Sequence, residues 1–95
     1  MATIMDKIGE PAVLEQLSEE CAELAHAALK MSRALRGENP TPLTKDACLV
    51  RMLEEMADVY VVLDEWLRNK PPGYICQINE VMEAKEKRWY ERCEL

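Results

Sequence analysis

The sequence lacks phenylalanine entirely and contains little glycine. It has 3 glycines among 95 residues, and phenylalanine, tryptophan and tyrosine together make up 5% of the chain. Alanine, leucine, methionine, glutamate and lysine are abundant instead, and this mixture favours helix over strand. Apolar residues make up 48% of the chain, which is too many for a disordered protein. We therefore expect an all-α fold with a single domain over residues 1–95.

Positive charge is also scarce, because 12 lysines and arginines face 18 aspartates and glutamates, for a net charge of -6. Such a surface argues against general binding to nucleic acid or to an anionic membrane. A small anionic ligand is still compatible with it, because a divalent metal ion can reverse the local field.

The four cysteines form no Cys-x-x-Cys pair and match no common zinc spacing. They are Cys21, Cys48, Cys76 and Cys93, and we interpret them as free thiols that mostly fill the core. The first ten residues lack the apolar run of a secretory signal, and no stretch is long enough to cross a bilayer. A reduced, cytoplasmic protein is expected.

Two segments rich in turn residues divide the chain, namely Arg36–Lys45 and Asn69–Gly73. The predicted elements are long helices over about Pro11 to Leu35, Thr44 to Arg68 and Tyr74 to Arg92, and a possible short helix within Met1–Gly9. Pro11 suits a first helical turn, Gly37 a helix end and Thr44 an N-cap. Three amphipathic helices in so short a chain would expose apolar surface, so we expect an antiparallel helical bundle completed by oligomerisation.

Carboxylates lie beside the apolar face of the first long helix. At about 100° per residue, that face consists of Val13, Leu14, Leu17, Cys21, Leu24, Ala28, Met31 and Leu35. Glu20 and Glu23 lie at its edge, among small apolar residues.

The second long helix has a wider apolar sector. Its main stripe consists of Leu49, Leu53, Met56, Tyr60, Leu63 and Leu67. One flank of that stripe consists of Cys48, Val59, Val62 and Trp66. Glu55 lies within this flank and Asp58 just beside it, whereas Glu54 and Glu65 are expected to face water. Buried carboxylates need a compensating partner.

The spacing i, i+3 puts Glu20 and Glu23 on one side of their helix, and Glu55 and Asp58 on one side of theirs. In an antiparallel pair the four groups can face each other, where they would repel strongly without a cation. An all-oxygen cluster prefers a hard ion, Mg²⁺ or Mn²⁺. A solvated charged face and ion pairs to cations of the third long helix remain alternative interpretations.

The third long helix carries basic residues near its apolar face. Lys85 falls within that face, and Arg88 and Arg92 lie on one side of it. These cations could neutralise phosphate charge beside a metal ion. A carboxylate-bridged di-iron or di-manganese site would need paired Glu-x-x-His motifs. The only histidine, His26, follows Glu23 at i+3 but has no second motif to pair with.

The segments "EECAEL" and "EEMADV" resemble the MazG-like family of all-α nucleoside triphosphate pyrophosphohydrolases. That family has ExxE on one helix and ExxD on the next, which here are Glu20 with Glu23 and Glu55 with Asp58. The resemblance covers about Leu14 to Arg92 and includes the basic segment "AKEKRWYER". The connector over residues 36–45 is longer than the short turn of compact members.

This resemblance implies that Glu20, Glu23, Glu55 and Asp58 hold Mg²⁺. It also implies that Lys85, with Arg88 or Arg92, contacts the triphosphate, and that the bundle is a homodimer or homotetramer. The reaction it implies is hydrolysis of a ribo- or deoxynucleoside triphosphate between the α- and β-phosphorus. A non-catalytic helical module for nucleotide binding or assembly is the alternative.

Overall fold

The computed structural model describes residues 1–38 and 43–95. The described residues form helices and turns but no strand, which confirms the all-α class. The helices are α1 (Ile4–Ile8), α2 (Glu10–Arg36), α3 (Lys45–Arg68) and α4 (Gly73–Arg92). Each predicted long helix agrees with its observed bounds to within one residue. The predicted connector over residues 36–45 lies partly outside the described residues.

Local signals account for these helix ends. Gly37 terminates α2 in the left-handed conformation with φ 73°, which favours glycine because it has no Cβ. The Thr44 side chain accepts a hydrogen bond from the Ala47 N–H at 3.1 Å and thereby caps α3, as predicted. Thr3 and Asp6 form a capping box at the start of α1.

Helices α2 and α3 pack side by side and run in opposite directions. Trp66 near the end of α3 donates its indole N–H to Glu10 at the start of α2, at 3.0 Å. At the other end of the pair, Ala27 of α2 and Cys48 of α3 are both buried and line one cavity. This hairpin contains the small core of a single chain.

Helix α4 packs along neither α2 nor α3, and all of its residues are exposed. Within one chain, the predicted bundle of three long helices is therefore present only as the α2–α3 pair. None of the described helices has the length and hydropathy needed to span a membrane.

The side of α3 that contacts α2 differs from the predicted one. Leu53 and Tyr60 of the predicted main stripe are 54% and 72% exposed, whereas Cys48 and Glu55 of the predicted flank are buried. The apolar sector of α3 is wider than a single neighbouring helix can cover. The choice of main stripe was therefore wrong for contact within the chain.

Two further expectations need correction. Glu65, predicted to face water, is 6% exposed because its carboxylate accepts hydrogen bonds from the first N–H groups of α1. Of the cysteines predicted to fill the core, Cys48 is buried, but Cys21, Cys76 and Cys93 are exposed.

Candidate metal centre

The α2–α3 hairpin brings together the four carboxylates singled out by their spacing. Glu20 and Glu23 of α2 face Glu55 and Asp58 of α3. Each residue offers one carboxylate oxygen, and these four oxygens all lie within 4.8 Å of one another. The arrangement arises because each i, i+3 pair occupies one side of its helix and the helices run antiparallel.

The cluster has a buried floor and an open rim. Glu55 is 4% exposed and Glu20 is half-buried, whereas Glu23 and Asp58 are exposed. A ligand can therefore approach from the Glu23 and Asp58 side without any rearrangement of the helices.

Two oxygens of this floor lack a compensating partner. Glu20 Oε2 and Glu55 Oε2 are buried and accept no hydrogen bond from any described residue. A buried carboxylate oxygen without a partner is costly, because it has lost its water. Such atoms lie where a bound cation would supply the missing charge.

The raised pKa of Glu20 also indicates that the cluster needs a cation. Desolvation raises the pKa of Glu20, and the charges of Glu23 and Asp58 raise it further. A hydrogen bond from Gln16 Nε2 to Glu20 Oε1, at 2.7 Å, opposes this shift but does not cancel it. The cluster is thus short of positive charge.

Arg51 is the one cation that contacts the four acids among the described residues. Its Nε lies 3.1 Å from Glu55 Oε1, and its side chain is 66% exposed. One largely exposed arginine cannot offset four carboxylates, and exposed ion pairs contribute little. Sequence reasoning missed this residue, although the i, i+4 spacing from Arg51 to Glu55 would have indicated it.

The basic residues predicted to bind phosphate do not reach the cluster within one chain. Lys85, Arg88 and Arg92 all lie on α4, which packs along neither α2 nor α3. In the described part of the chain, no ion pair joins them to the four acids. Ion pairing with α4 therefore does not compensate the carboxylates of the same chain.

The residues present fit a hard divalent ion. Opposite ligands of Mg²⁺ are about 4.2 Å apart and those of Ca²⁺ about 5 Å, and the four carboxylate oxygens all lie within 4.8 Å of one another. His26 is exposed and does not belong to the cluster, so the paired Glu-x-x-His pattern of a di-iron site is not formed by the described residues.

Comparison of the chain with protein-family models, curated proteins and solved structures found no match. The resemblance to the MazG-like family therefore stays a prediction from the residues named above.

Proposed function

We propose that this protein is a Mg²⁺-dependent nucleoside triphosphate pyrophosphohydrolase. It would hydrolyse a ribo- or deoxynucleoside triphosphate between the α- and β-phosphorus, to the monophosphate and pyrophosphate. The observation that carries the proposal is the four-carboxylate cluster with two buried oxygens that no described residue compensates. The reaction class comes from the MazG-like resemblance.

The four acids have different tasks in this proposal. Glu20 and Glu55, on the buried floor, hold the ion in position, and the exposed Glu23 and Asp58 face the incoming substrate. Mn²⁺ is the expected substitute for Mg²⁺. When bound, the ion neutralises charge on phosphate oxygens and lowers the pKa of a water.

The proton of the attacking water needs an acceptor, and Glu20 or Glu23 fills that role. The water oxygen forms a bond to the α-phosphorus, and the bridging bond from the α-phosphorus to oxygen breaks. Its electron pair leaves with pyrophosphate.

The exposed area supports a homo-oligomer. The chain exposes 7698 Å², whereas a monomer of 10.9 kDa typically exposes about 5,600 Å². The excess of about 2,100 Å² lies in the range of accessible surface that one protomer buries when it forms an obligate homodimer. In such an oligomer, α4 of a second copy is a source of Lys85, Arg88 and Arg92 for the carboxylate cluster.

Sedimentation equilibrium tests the oligomer directly. We expect the protein to be a dimer or tetramer at micromolar concentration, and Leu53→Glu to dissociate it because Leu53 lies on the exposed apolar face of α3. Glu54→Gln, a change at the neighbouring exposed position, is the matched control. A well-folded wild-type monomer would rule out the oligomer.

The reaction is tested with a panel of ribo- and deoxynucleoside triphosphates in oxygen-18 water, with Mg²⁺ and then with EDTA. Attack at the α-phosphorus places the label in the monophosphate, and EDTA abolishes the reaction. Label in pyrophosphate, or release of a diphosphate and orthophosphate, would contradict the proposal.

A non-catalytic helical module that binds nucleotides or assembles partners is the second candidate. It is favoured by the separation of the α4 cations from the cluster within one chain. A nucleotide that raises the Tm of the Mg²⁺-loaded protein but is never turned over would identify this function instead.

A further inference from the structure

A cavity of about 450 Å³ lies between α2 and α3, next to the carboxylate cluster. Its lining includes Ala27 and Lys30 from α2 and Ala47, Cys48, Arg51 and Glu54 from α3. Arg51 belongs to both places, because it lines the cavity and also contacts Glu55 of the cluster. The two spaces are therefore adjacent.

Two cations from facing helices converge on this cavity. Lys30 makes no ion pair with any described residue. The Arg51 ion pair with Glu55 uses only the Nε group, and a guanidinium has four further N–H donors. Both side chains thus retain donors for an anionic ligand.

We propose that this cavity binds the phosphate chain of a metal-chelated polyphosphate, with Lys30 and Arg51 as its anchors. Arg51 connects the cavity to the cluster, because it lines the cavity while its Nε lies 3.1 Å from Glu55 Oε1. A ligand held at the cluster through its metal ion would therefore meet Arg51 with its remaining phosphates, and Lys30 lines the same cavity from α2.

The charges that line the cavity favour a polyphosphate bound to a divalent metal ion over a free polyphosphate. Glu54 also lines the cavity, so the three charged side chains that the described residues contribute sum to a single positive charge. A free polyphosphate with several negative charges would be poorly compensated there, and it would meet the acidic cluster next door. A polyphosphate that carries its own divalent ion avoids both problems.

The lining also argues against a nucleobase as the occupant. Bases are commonly bound by stacking on aromatic side chains, and no aromatic residue lines this cavity in the described part of the chain. Small residues such as Ala27 and Ala47 leave room without providing a stacking surface. The base is therefore expected to lie elsewhere.

The inference rests on the proposed function for the position of the metal ion, but it can be tested without turnover. Binding of pyrophosphate with Mg²⁺ is measured by calorimetry for the wild type, Lys30→Met and Arg51→Gln. Lys7→Met, which removes an exposed positive charge on α1, is the matched control. We expect each cavity variant to bind at least about tenfold more weakly, the loss typical of one charge-assisted hydrogen bond, and Lys7→Met to bind normally.

A separate readout shows whether the cluster itself is intact. The rise in Tm with Mg²⁺ alone should persist in Lys30→Met, because Lys30 makes no ion pair with the four acids. Arg51→Gln removes a partner of Glu55, so Lys30→Met is the decisive variant.

Two results would overturn the inference: a wild type that does not bind pyrophosphate with Mg²⁺, or a Lys30→Met variant that binds it as the wild type does. If the cavity variants bind pyrophosphate more weakly but the wild type turns over no nucleotide, this site is supported and the pyrophosphohydrolase is refuted. Nucleotide turnover by the wild type with undiminished pyrophosphate binding in Lys30→Met would refute this site and preserve the pyrophosphohydrolase.

Discussion

Glu55 and Glu65 are both buried on α3, at 4% and 6% exposure, yet their carboxylates have very different surroundings. Glu65 Oε1 accepts hydrogen bonds from the Ile4 N–H at 2.6 Å and the Met5 N–H at 3.3 Å. Its Oε2 accepts a hydrogen bond from Asn69 Nδ2 at 3.4 Å. Glu55 has an arginine on Oε1 and, among the described residues, no partner on Oε2.

The difference separates a structural carboxylate from one suited to a ligand. At Glu65 the protein itself provides the donors, because the first N–H groups of α1 have no partner within their own helix. At Glu55 one largely exposed arginine faces a group of four carboxylates whose oxygens lie within 4.8 Å of one another. The same burial thus stabilises the fold at one site and creates a demand for a cation at the other.

The largest expected effect is on activity. Glu55→Gln should lower turnover with Mg²⁺ at least about a hundredfold, because even outer-shell changes at metal sites cost 10- to 100-fold. The free energy of unfolding in EDTA should stay equal or rise, because one of four repelling charges is removed. Steady-state kinetics and urea denaturation of the same preparation test both points.

Glu65→Gln is the matched control for this experiment, because it makes the same chemical change on the same helix. It should keep wild-type turnover per folded molecule. If Glu65→Gln and Glu55→Gln lost activity equally, the distinction between the two carboxylates would be wrong.

The largest expected effect on stability is at Glu65. Glu65→Ala leaves the first N–H groups of α1 without their carboxylate acceptor, at a cost of about 2 kcal/mol. For a chain of this size that lowers the Tm by roughly 10 °C. Thermal unfolding at one fixed protein concentration measures this, with Glu54→Ala as the exposed control on the same helix; equal Tm values for the two variants would refute the role of Glu65.

A smaller effect on stability is expected at Thr3, the N-cap of α1, which also contacts Asn69 at the end of α3. The Thr3 side chain accepts the Asp6 N–H at 3.1 Å and donates to Asn69 Oδ1 at 2.9 Å. Thr3→Ala should therefore destabilise the protein by about 1 kcal/mol. If α1 is held through this network, Thr3→Ala in the Glu65→Ala background should cost less than in the wild type, and strict additivity would exclude the coupling.

The smallest effect concerns the contact between Glu10 and Lys70. Hydrogen bonding to Lys70 lowers the pKa of Glu10, despite the opposing effect of desolvation. The interaction therefore stabilises the protein above the pKa of Glu10 in the unfolded chain and is lost as the pH falls through the folded value. Lys70→Met should be less stable than wild type at neutral pH, and the part of the gap due to Glu10 should disappear in acid.

Lys70 also lies 5.0 Å from the centre of the Trp66 ring, and that contact does not depend on the ionisation of Glu10. A constant residual difference in acid is therefore expected. An NMR titration of Glu10 provides the second readout, and an unchanged Glu10 pKa in Lys70→Met would contradict the assignment.

Local signals made much of the fold predictable. Gly37 and Thr44 mark helix ends through their own backbone and side-chain chemistry, so the helix bounds needed no tertiary information. The i, i+3 spacings likewise placed Glu20 with Glu23 and Glu55 with Asp58 on single helix sides.

The missed features depend on contacts that periodicity does not encode. Burial of Glu65 depends on α1 folding back to the end of α3, and neither segment indicates this alone. The exposure of Leu53 and Tyr60 depends on which part of a wide apolar sector α2 covers. The placement of α4 depends on what it packs against, so Lys85 could be assigned to a helix face but not to a site.

The most direct test of the central claim is binding of Mn²⁺, measured by electron paramagnetic resonance, to the wild type, Glu55→Gln and Glu65→Gln. The cluster predicts that Mg²⁺ competes with Mn²⁺ in the wild type and in Glu65→Gln, and that Glu55→Gln loses the site. Equal Mn²⁺ binding by Glu55→Gln and the wild type would show that the uncompensated carboxylates of the hairpin do not form a metal centre.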